Sequence, residues 1–475
     1  MNPYAVPAVV AVTVATVAIG AYGLRLARTT SDFLVASREV SPAWNAAAIS
    51  GEYLSAASFL GVAGLVLKHG VDVLWYPVGF AAGYLALLLF VAAPLRRSGA
   101  FTLPDFCQLR LRSRGLRKLA TAFVIMIGWL YLVPQLRGAG LTLQTVSGSP
   151  YLVGVLLVGV VVTANVALGG MRAITLVQAF QYWLKLTALL VPMLFLLLHW
   201  QADGRPNLAP PAGATFAHAT TVTFSAPARL LFLGGEAVDV AAHATRVFPA
   251  GSPIPRVVGG DVDGGLDWLL PGSTRHGDRG LLATYSLILA TFLGTMGLPH
   301  VLVRFYTNHD GAAARRTTLM VLGLVGLFYL LPTLYGVLGR VYTPQLMMTG
   351  QTDAVVLLLP AAALGAGTTG QLLGALVAAG AFAAFLSSSS GLLTSVAGVL
   401  STDVIGRGSV RDFRVAAVVA GLVPVLLAFR AGDLDVSQVV GLAFAVAASS
   451  FCPLLVLGLW WRGLTAPGAV ADRKS

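Results

Sequence analysis

Residues 45–61 read Asn45-Ala-Ala-Ala-Ile-Ser-Gly-Glu-Tyr-Leu-Ser-Ala-Ala-Ser-Phe-Leu-Gly61, and the interpretation of the chain starts from this segment. It lies in an apolar span, but near its centre it carries the carboxylate Glu52 beside the small and polar residues Ser50, Gly51, Tyr53 and Ser55. A carboxylate at the centre of a bilayer costs about 2.5–3.5 kcal/mol on insertion scales, so it is expected to face a cavity or a partner. The segment therefore predicts an interrupted membrane helix at a binding site.

The composition of the whole chain is that of an integral membrane protein. Of its 475 residues, 57% are hydrophobic and 11% are charged, whereas about 25% of the residues in a soluble protein are charged. This excludes soluble enzymes, nucleic-acid binders and disordered scaffolds. Cys107 and Cys452 fall in different segments and form neither a metal motif nor a disulfide framework. The chain has no nucleotide-binding G-x-x-x-x-G-K-[ST] loop, and neither enzymatic activity nor an organic cofactor is expected.

Apolar segments of roughly 20 residues predict the membrane spans. The first lacks a basic leader and a clear A-x-A cleavage site, so it is interpreted as a retained helix and not as a signal peptide. The eleven predicted spans are about 4–26, 43–66, 72–95, 118–146, 151–168, 174–199, 281–305, 316–338, 370–400, 413–430 and 437–461.

The charges predict an orientation, and the loop lengths predict a repeat. Most basic residues fall in alternate connections, which places the N-terminus outside and the C-terminus in the cytoplasm and accounts for the net charge of +12; Arg304 is counted among these loop residues. When the first span is set aside as an extra helix, five spans precede the long connection and five follow it, as an inverted repeat requires. The predicted units are an extra helix and cytoplasmic loop (1–42), a first repeat (43–199), an extracellular loop (200–280), a second repeat (281–461) and a cytoplasmic tail (462–475).

A second break is predicted in the seventh span, which reads Phe292-Leu-Gly-Thr-Met-Gly-Leu-Pro-His300. Two glycines and a proline within six residues weaken a helix, and Pro299 removes one backbone hydrogen bond. An interruption in the first helix of each half is the pattern expected of a transporter binding site.

Hydroxyl groups and buried cations supply further candidate ligands. The ninth span contains Ser387-Ser-Ser-Ser390, and hard cations such as sodium prefer oxygen ligands. At helical spacing the four serines cannot all face one cavity, so at least one is expected to pack or to bond back to its own helix. Arg137 and Lys185 lie within spans. Either could bind an anionic substrate, and either could instead neutralise Glu52.

Several stretches resemble the sodium–solute symporter family, and within it the acetate permease branch of short-chain monocarboxylate transporters. The resemblance covers about residues 31–470. Its matching stretches are Ser31-Asp-Phe-Leu-Val-Ala-Ser-Arg38, Gly51-Glu-Tyr-Leu-Ser-Ala-Ala-Ser-Phe-Leu-Gly61, Gly169-Gly-Met-Arg-Ala173, Gly297-Leu-Pro-His-Val-Leu-Val-Arg-Phe305 and Val440-Gly-Leu-Ala-Phe-Ala-Val-Ala-Ala-Ser449.

The resemblance implies an all-α, leucine-transporter-like fold of five plus five inverted helices after one extra helix. It also implies a sodium site between the first and eighth core helices, with carbonyl ligands from Gly51, Leu54 and Ala384 and hydroxyl ligands from Ser387 and Ser388. Together with the buried charges, it gives a candidate substrate site at Glu52, Tyr53, Ser55, Gln135, Arg137, Thr295, Met296 and Gly297.

The chain departs from the resemblance at two places. Val177 and Gln178 stand where much of the family has a Thr-Asp pair, which puts a second cation site at that aspartate in question. The chain also stops at Ser475, near the end of the tenth core helix, where family members usually continue for one or two helices.

The expected function is import of a short monocarboxylate, such as acetate, propionate or pyruvate, with an inward sodium gradient across the cytoplasmic membrane. The expected partners are this organic anion, the coupling ion and the lipid bilayer; neither nucleic acid nor an obligate protein partner is indicated. The alternatives are a proton-coupled carrier with Glu52 as the titrating group, a sensor or channel of the same fold, and a non-functional remnant.

Overall fold

The computed structural model describes residues 2–24, 36, 40–206, 208, 215–216, 219–224, 227–232, 234–258, 280–365, 367–406, 409–430 and 436–471. The resembling stretch at 31–38, apart from Ala36, and the basic residues Arg473 and Lys474 of the predicted tail lie outside these ranges.

The described chain is mostly helical. Before the long connection the helices are α1 (Ala5–Leu24), α2 (Pro42–Tyr53), α3 (Val62–His69), α4 (Trp75–Ala86), α5 (Ala92–Arg97), α6 (Leu103–Leu111), α7 (Arg114–Ser147) and α8 (Tyr151–Ala202). After it they are α9 (Gly280–Gly297), α10 (Pro299–Val303), α11 (Gly311–Tyr342), α12 (Gln345–Thr349), α13 (Val355–Leu364), α14 (Thr368–Val399), α15 (Val410–Ala428), α16 (Val436–Trp460) and α17 (Ala466–Ala471).

Eight helical segments are long and apolar enough to cross a membrane, counted over the described ranges. Two of them, Ala57–Arg97 and Tyr151–Ala202, each contain parts of two predicted spans, and α15 is not among the eight. The all-α membrane class is therefore confirmed, whereas the number of eleven crossings stays a prediction.

The two predicted helix breaks are present. α2 ends at Tyr53, and Leu54 (φ −75°, ψ 83°) leaves the helical conformation. The helix resumes as a π-helical turn, Ala57–Gly61, that continues into α3. In the second half Leu298 adopts an extended conformation (φ −70°, ψ 114°), and Pro299 begins α10 at a position where its missing N–H removes no helical bond. Each break leaves backbone groups that need partners.

The 52-residue helix α8 is divided at Gly170, in the resembling stretch Gly169–Ala173 between the fifth and sixth predicted spans; we call this the Gly-Gly turn. Gly170 has φ 59° and ψ −165°, a conformation essentially restricted to glycine. The two arms of α8 correspond to the fifth and sixth predicted spans. The second arm packs against α2 and α14 and carries Gln178 and Lys185 into the centre of the molecule.

The central helix of the bundle is α14. Within its most apolar window 89% of the residues are buried, against at most 61% in the other seven spanning segments of the described chain. It packs against α7, α8 and α2. Arg117 at the start of α7 pairs with Asp403, in the π-helical turn Leu400–Val404 that follows α14. Because α14 is surrounded by other helices, its polar residues near the break in α2 are buried and do not contact lipid.

The connection between α8 and α9 contains strands that the sequence did not indicate. They are β1 (Thr220–Thr223), β2 (Ala228–Leu231), β3 (Ala237–Val240), β4 (Thr245–Phe248) and β5 (Arg256–Val258). β1 pairs with β4, and the other sheet has the order β3-β2-β5 with antiparallel pairing throughout. A small core with stacked Phe216 and Phe248 rings supports them. We call this side the strand-bearing face, and the side where α7 and α15 begin the opposite face.

Candidate functional site

Side chains from both halves meet at the two helix breaks. The Tyr53 hydroxyl at the end of α2 lies 3.2 Å from Thr295 Oγ1 on α9. Next to it, Tyr131 on α7 donates to Ser55 Oγ at 3.2 Å. Gln135 Oε1 accepts a hydrogen bond from the backbone N–H of Ala56 at 2.9 Å, which satisfies one amide freed by the break. Four of the predicted substrate residues, Tyr53, Ser55, Gln135 and Thr295, thus form one cluster.

A cavity of about 230 Å³ opens from this cluster toward the strand-bearing face. Its wall carries aromatic rings with hydroxyl groups between them, and the Ser58 and Tyr329 hydroxyls are 2.8 Å apart. The first turn after the break, at Ala57 and Ser58, also lines it. The cavity is smaller than the roughly 300–1,000 Å³ of pockets for drug-sized ligands, so it suits a solute of few atoms.

Met296 and Gly297 are buried beside the cluster and contribute to packing. Met296 is 3% exposed. A Cβ added at Gly297 would lie 2.3 Å from the carbonyl oxygen of Ala447, so this glycine allows α9 and α16 to approach closely. The structure gives the two side chains no polar group directed at the cavity, and their substrate role stays a prediction.

The groups proposed as sodium ligands also lie together. Ser387 Oγ on α14 lies 2.7 Å from the Gly51 carbonyl oxygen and 3.1 Å from that of Ala384. Ser388 Oγ donates to the Glu52 carbonyl at 2.5 Å. The expectation that one serine bonds back to its own helix is met by Ser390, which donates to the Leu386 carbonyl at 2.7 Å.

A lysine ammonium occupies the centre of this oxygen cluster. Lys185 Nζ, on the second arm of α8, donates to the Leu54 carbonyl at 2.8 Å, to Ser387 Oγ at 3.0 Å and to the Gly51 carbonyl. Lys185 is fully buried. The sequence marked Lys185 as a buried cation but did not place it at the predicted sodium ligands, because the fold brings together groups more than 130 residues apart.

The carboxylate of Glu52 pairs with an arginine that the sequence had placed in a loop. Arg304 Nε donates to Glu52 Oε2 at 2.7 Å, and both side chains are 1% exposed. Arg304 also donates to Thr175 Oγ1 at 2.8 Å and to Gln178 Oε1. Gln178 Nε2 in turn donates to the Ser387 carbonyl at 2.7 Å. The pair is therefore joined through Gln178 to the helix that carries the serines.

These contacts correct two expectations. Arg304 is not a loop cation. It begins the one-turn helical segment Arg304–Thr307, its carbonyl accepts a hydrogen bond from Asn45 of α2, and its side chain is fully buried. The partner of Glu52 is Arg304 and neither Arg137 nor Lys185. Arg137 lies half-buried further along α7, within electrostatic range of Tyr151. Arg304 lies in the resembling stretch Gly297–Phe305. Because it stands near the end of a predicted span, nothing in the sequence indicated that it pairs with Glu52.

Little free volume lies directly beneath the cluster, toward the opposite face. A pocket there, lined by Met171, Pro299, Thr394 and others, has a volume of only about 20 Å³. His300 is buried between the two sides, with its ring 5.3 Å from that of Tyr131. A central site reached from one face, with little free volume beneath it toward the other, fits the arrangement that alternating access requires.

A fold of interrupted helices around such a site defines a secondary transporter. The chain belongs to the Sodium:solute symporter family, whose sequence model matches residues 33–473. Over 472 residues it is 32% identical to the "Monocarboxylic acid transporter" of Corynebacterium glutamicum, covering 94% of this chain and 78% of that one. Over 480 residues it is 32% identical to the "Uncharacterized symporter YwcA" of Bacillus subtilis, covering 99% and 83%.

A solved structure confirms the fold. The substrate-bound, outward-open state of a Na⁺-coupled sialic acid symporter superimposes with a TM-score of 0.69 at 14% identity, covering 98% of this chain and 89% of that one. The leucine-transporter-like architecture and the family expected from the sequence are therefore both confirmed, and the chain is a multi-pass membrane protein.

Proposed function

We propose that this protein imports a short-chain monocarboxylate, such as acetate, propionate or pyruvate, across the cytoplasmic membrane by symport with a cation. The observation that carries the proposal is the small cavity with aromatic and hydroxyl groups at the paired helix breaks. The Corynebacterium glutamicum relative, named a monocarboxylic acid transporter, supports the substrate class. The N-terminus would lie outside and the C-terminus inside, as the distribution of basic residues indicates.

The substrate carboxylate would bind where the helix resumes after the break. Backbone N–H groups in the first turn, at Ala57 and Ser58, lie at the positive end of the helix dipole and are suited to an anion. The Tyr53 and Tyr131 hydroxyls can donate to the same carboxylate, while Phe80 and Phe444 line the apolar part of the cavity. Glu52, held by Arg304, would then act as a structural counter-ion outside the substrate cavity.

Transport follows from differential affinity of the ligands for two conformations. Substrate in the cavity contacts both breaks, at Tyr53 and at Thr295, so it favours the state in which the two halves close around it. The family and the sodium-coupled solved structure support sodium as the coupling ion, with Gly51, Leu54, Ala384, Ser387 and Ser388 as ligands. The position of Lys185 favours a second candidate, a proton.

Reconstituted vesicles test the proposed function. Purified protein should exchange external labelled acetate for internal unlabelled acetate in the absence of any ion gradient, and unlabelled propionate and pyruvate should compete. Tyr53→Phe should weaken competition by up to about tenfold, because it removes one neutral hydrogen bond. Exchange that no short monocarboxylate supports would refute the substrate class. Flux above the roughly 10³ per second of turnover-limited proteins would indicate a channel instead.

A further inference from the structure

We infer that the Lys185 ammonium is the resident cation of the site assigned to sodium, so that the residues present there do not bind a sodium ion. This rests on the proposed function for the transported solute, but its geometric basis is independent of the substrate. The contacts that carry it run from Lys185 Nζ to two carbonyl oxygens of the break after α2 and to one hydroxyl of α14.

The three contacts match the bonding capacity of an ammonium group. A charged lysine has three N–H donors and no acceptor. Here the three acceptors are the Gly51 carbonyl, the Leu54 carbonyl and Ser387 Oγ. The side chain thereby bridges the interrupted helix α2 to the central helix α14, the role expected of the bound cation in the resemblance. A fully buried lysine requires such compensation, because an ammonium without partners in an apolar interior is strongly unfavourable.

The same geometry leaves no place for sodium among these oxygens. Nζ lies within 3.0 Å of Leu54 O and Ser387 Oγ, so a second cation bound to these atoms would overlap the ammonium and be repelled by its charge. Among the five proposed ligands, Ser388 Oγ is directed to the Glu52 carbonyl. Ala384 offers only the carbonyl that lies 3.1 Å from Ser387 Oγ. The residues present therefore fit an internal ammonium better than a sodium ion.

The charged groups around Lys185 are few. On α2 the facing group is Glu52, and behind it Arg304, from the turn after α10, neutralises this carboxylate at 2.7 Å. The facing groups of α14 are hydroxyls and carbonyls. Because Glu52 is already paired with Arg304, the groups that hold the Lys185 ammonium are the neutral oxygens of the cluster.

The test uses vesicles containing the full-length protein and three separate readouts. Gradient-free acetate exchange reports the proposed function. Binding of radiolabelled sodium to the purified protein reports occupancy of the cation site. Uptake of labelled pyruvate, with either sodium or choline as the only external cation, reports whether transport requires sodium. Protein-free vesicles under the same gradients measure passive entry of the protonated acid, which is subtracted.

We expect the wild type to bind no sodium above background. Replacing choline by sodium should change the initial rate of pyruvate uptake by less than about twofold, since a ligand that does not bind shifts no equilibrium. Lys185→Ala, which vacates the oxygen cluster, should gain sodium binding. Lys118→Gln, at an exposed lysine at the start of α7, should match the wild type in all three readouts.

Sodium binding by the wild type, or pyruvate uptake that requires sodium, would overturn the inference. These results are obtained without any variant, so a variant that fails to fold does not affect them. If acetate exchange is absent while sodium binding is also absent, the proposed substrate fails but the assignment of Lys185 stands. If acetate exchange is present and the wild type binds sodium, the proposed substrate class stands but the assignment of Lys185 fails.

Discussion

At the residue scale, a single ion pair connects the two halves of the molecule close to the site. Glu52 belongs to the first predicted repeat and Arg304 to the second, and their side chains meet at 2.7 Å with almost no exposure. Removing one partner of a buried ion pair strongly destabilises the fold, whereas replacing both partners by neutral groups often does not. The pair therefore couples the positions of α2 and α10.

Removal of one member of this pair should destabilise the fold. We expect Glu52→Gln and Arg304→Met each to cost about 3–5 kcal/mol, because each leaves an uncompensated buried charge. The double variant should recover a substantial part of the loss. Thermal unfolding in detergent, followed by fluorescence-detected size-exclusion chromatography, measures the coupling. Arg414→Met, at an exposed arginine of α15, serves as the control. Additive effects of the two single changes would contradict the pairing.

Gly391 provides a second test of the position of Glu52. A Cβ added at Gly391 on α14 would lie 2.0 Å from Glu52 Cδ and 2.1 Å from Oε1, so the carboxylate would have to move away from Arg304. We expect Gly391→Ala to lower stability by about 1–3 kcal/mol, as overpacked cores do. Gly326→Ala on α11, where nothing lies within 4 Å of the added atom, is the matched control. It should be neutral or stabilising, because alanine favours helices. Equal stability of both variants would place Glu52 elsewhere.

At the element scale, the interruptions of α2, α8 and α9 set the shape of the bundle. The breaks after Tyr53 and before Pro299 leave backbone groups without partners inside their own helix, so these groups are free to bond to side chains at the site. The kink in α8 redirects its second arm so that Gln178 and Lys185 reach α14. A straight α8 would carry these two side chains away from the serines.

The kink in α8 depends on a residue without a side chain. At φ 59° and ψ −165°, Gly170 holds a conformation that costs other residues about 1–3 kcal/mol. We expect Gly170→Ala to lose stability by this amount and to reduce acetate exchange, because the arm carrying Lys185 shifts. Gly323→Ala on α11, with open space around the added atom, should change neither. Thermal unfolding measures the loss of stability, and the acetate exchange rate measures the effect on the site. Unchanged exchange by Gly170→Ala would show that the kink does not position the site.

At the scale of the whole molecule, the free volume next to the central cluster is distributed unequally between the two faces. The cavity at Tyr53 opens toward the strand-bearing face, whereas little volume remains between the cluster and the opposite face. Both native cysteines are buried, so introduced cysteines can report accessibility with little background.

Cysteine labelling in intact cells should reveal this asymmetry. We expect a membrane-impermeant maleimide to modify Leu65→Cys, which lines the cavity, and to leave Ser395→Cys on the opposite side unmodified. Thr223→Cys in β1 should react in intact cells, and Arg414→Cys only after permeabilisation, if the C-terminus is cytoplasmic; both native positions are exposed. The reverse pattern for these two marker positions would invert the proposed orientation.

The sequence by itself determined the membrane class, the two helix breaks, the Gly-Gly turn and the family resemblance. Each of these depends on local composition: long apolar segments partition into a bilayer, and glycine and proline interrupt helices wherever they fall. Glu52, Tyr53, Ser55 and the serine run were found in the same way, because polar groups within an apolar span stand out, whereas Gln135 came from the family resemblance.

Only the tertiary structure decided which of these groups meet. Arg304 lies 252 residues from Glu52, and Lys185 lies 202 residues from Ser387. No local pattern encodes such pairings, since they arise from how kinked helices pack around α14. The strands at 220–258 also escaped detection, because each is at most four residues long. The identity of the cation at the centre of the site is thus a property of the packing, because it depends on which side chain the bend at Gly170 brings to the oxygen cluster.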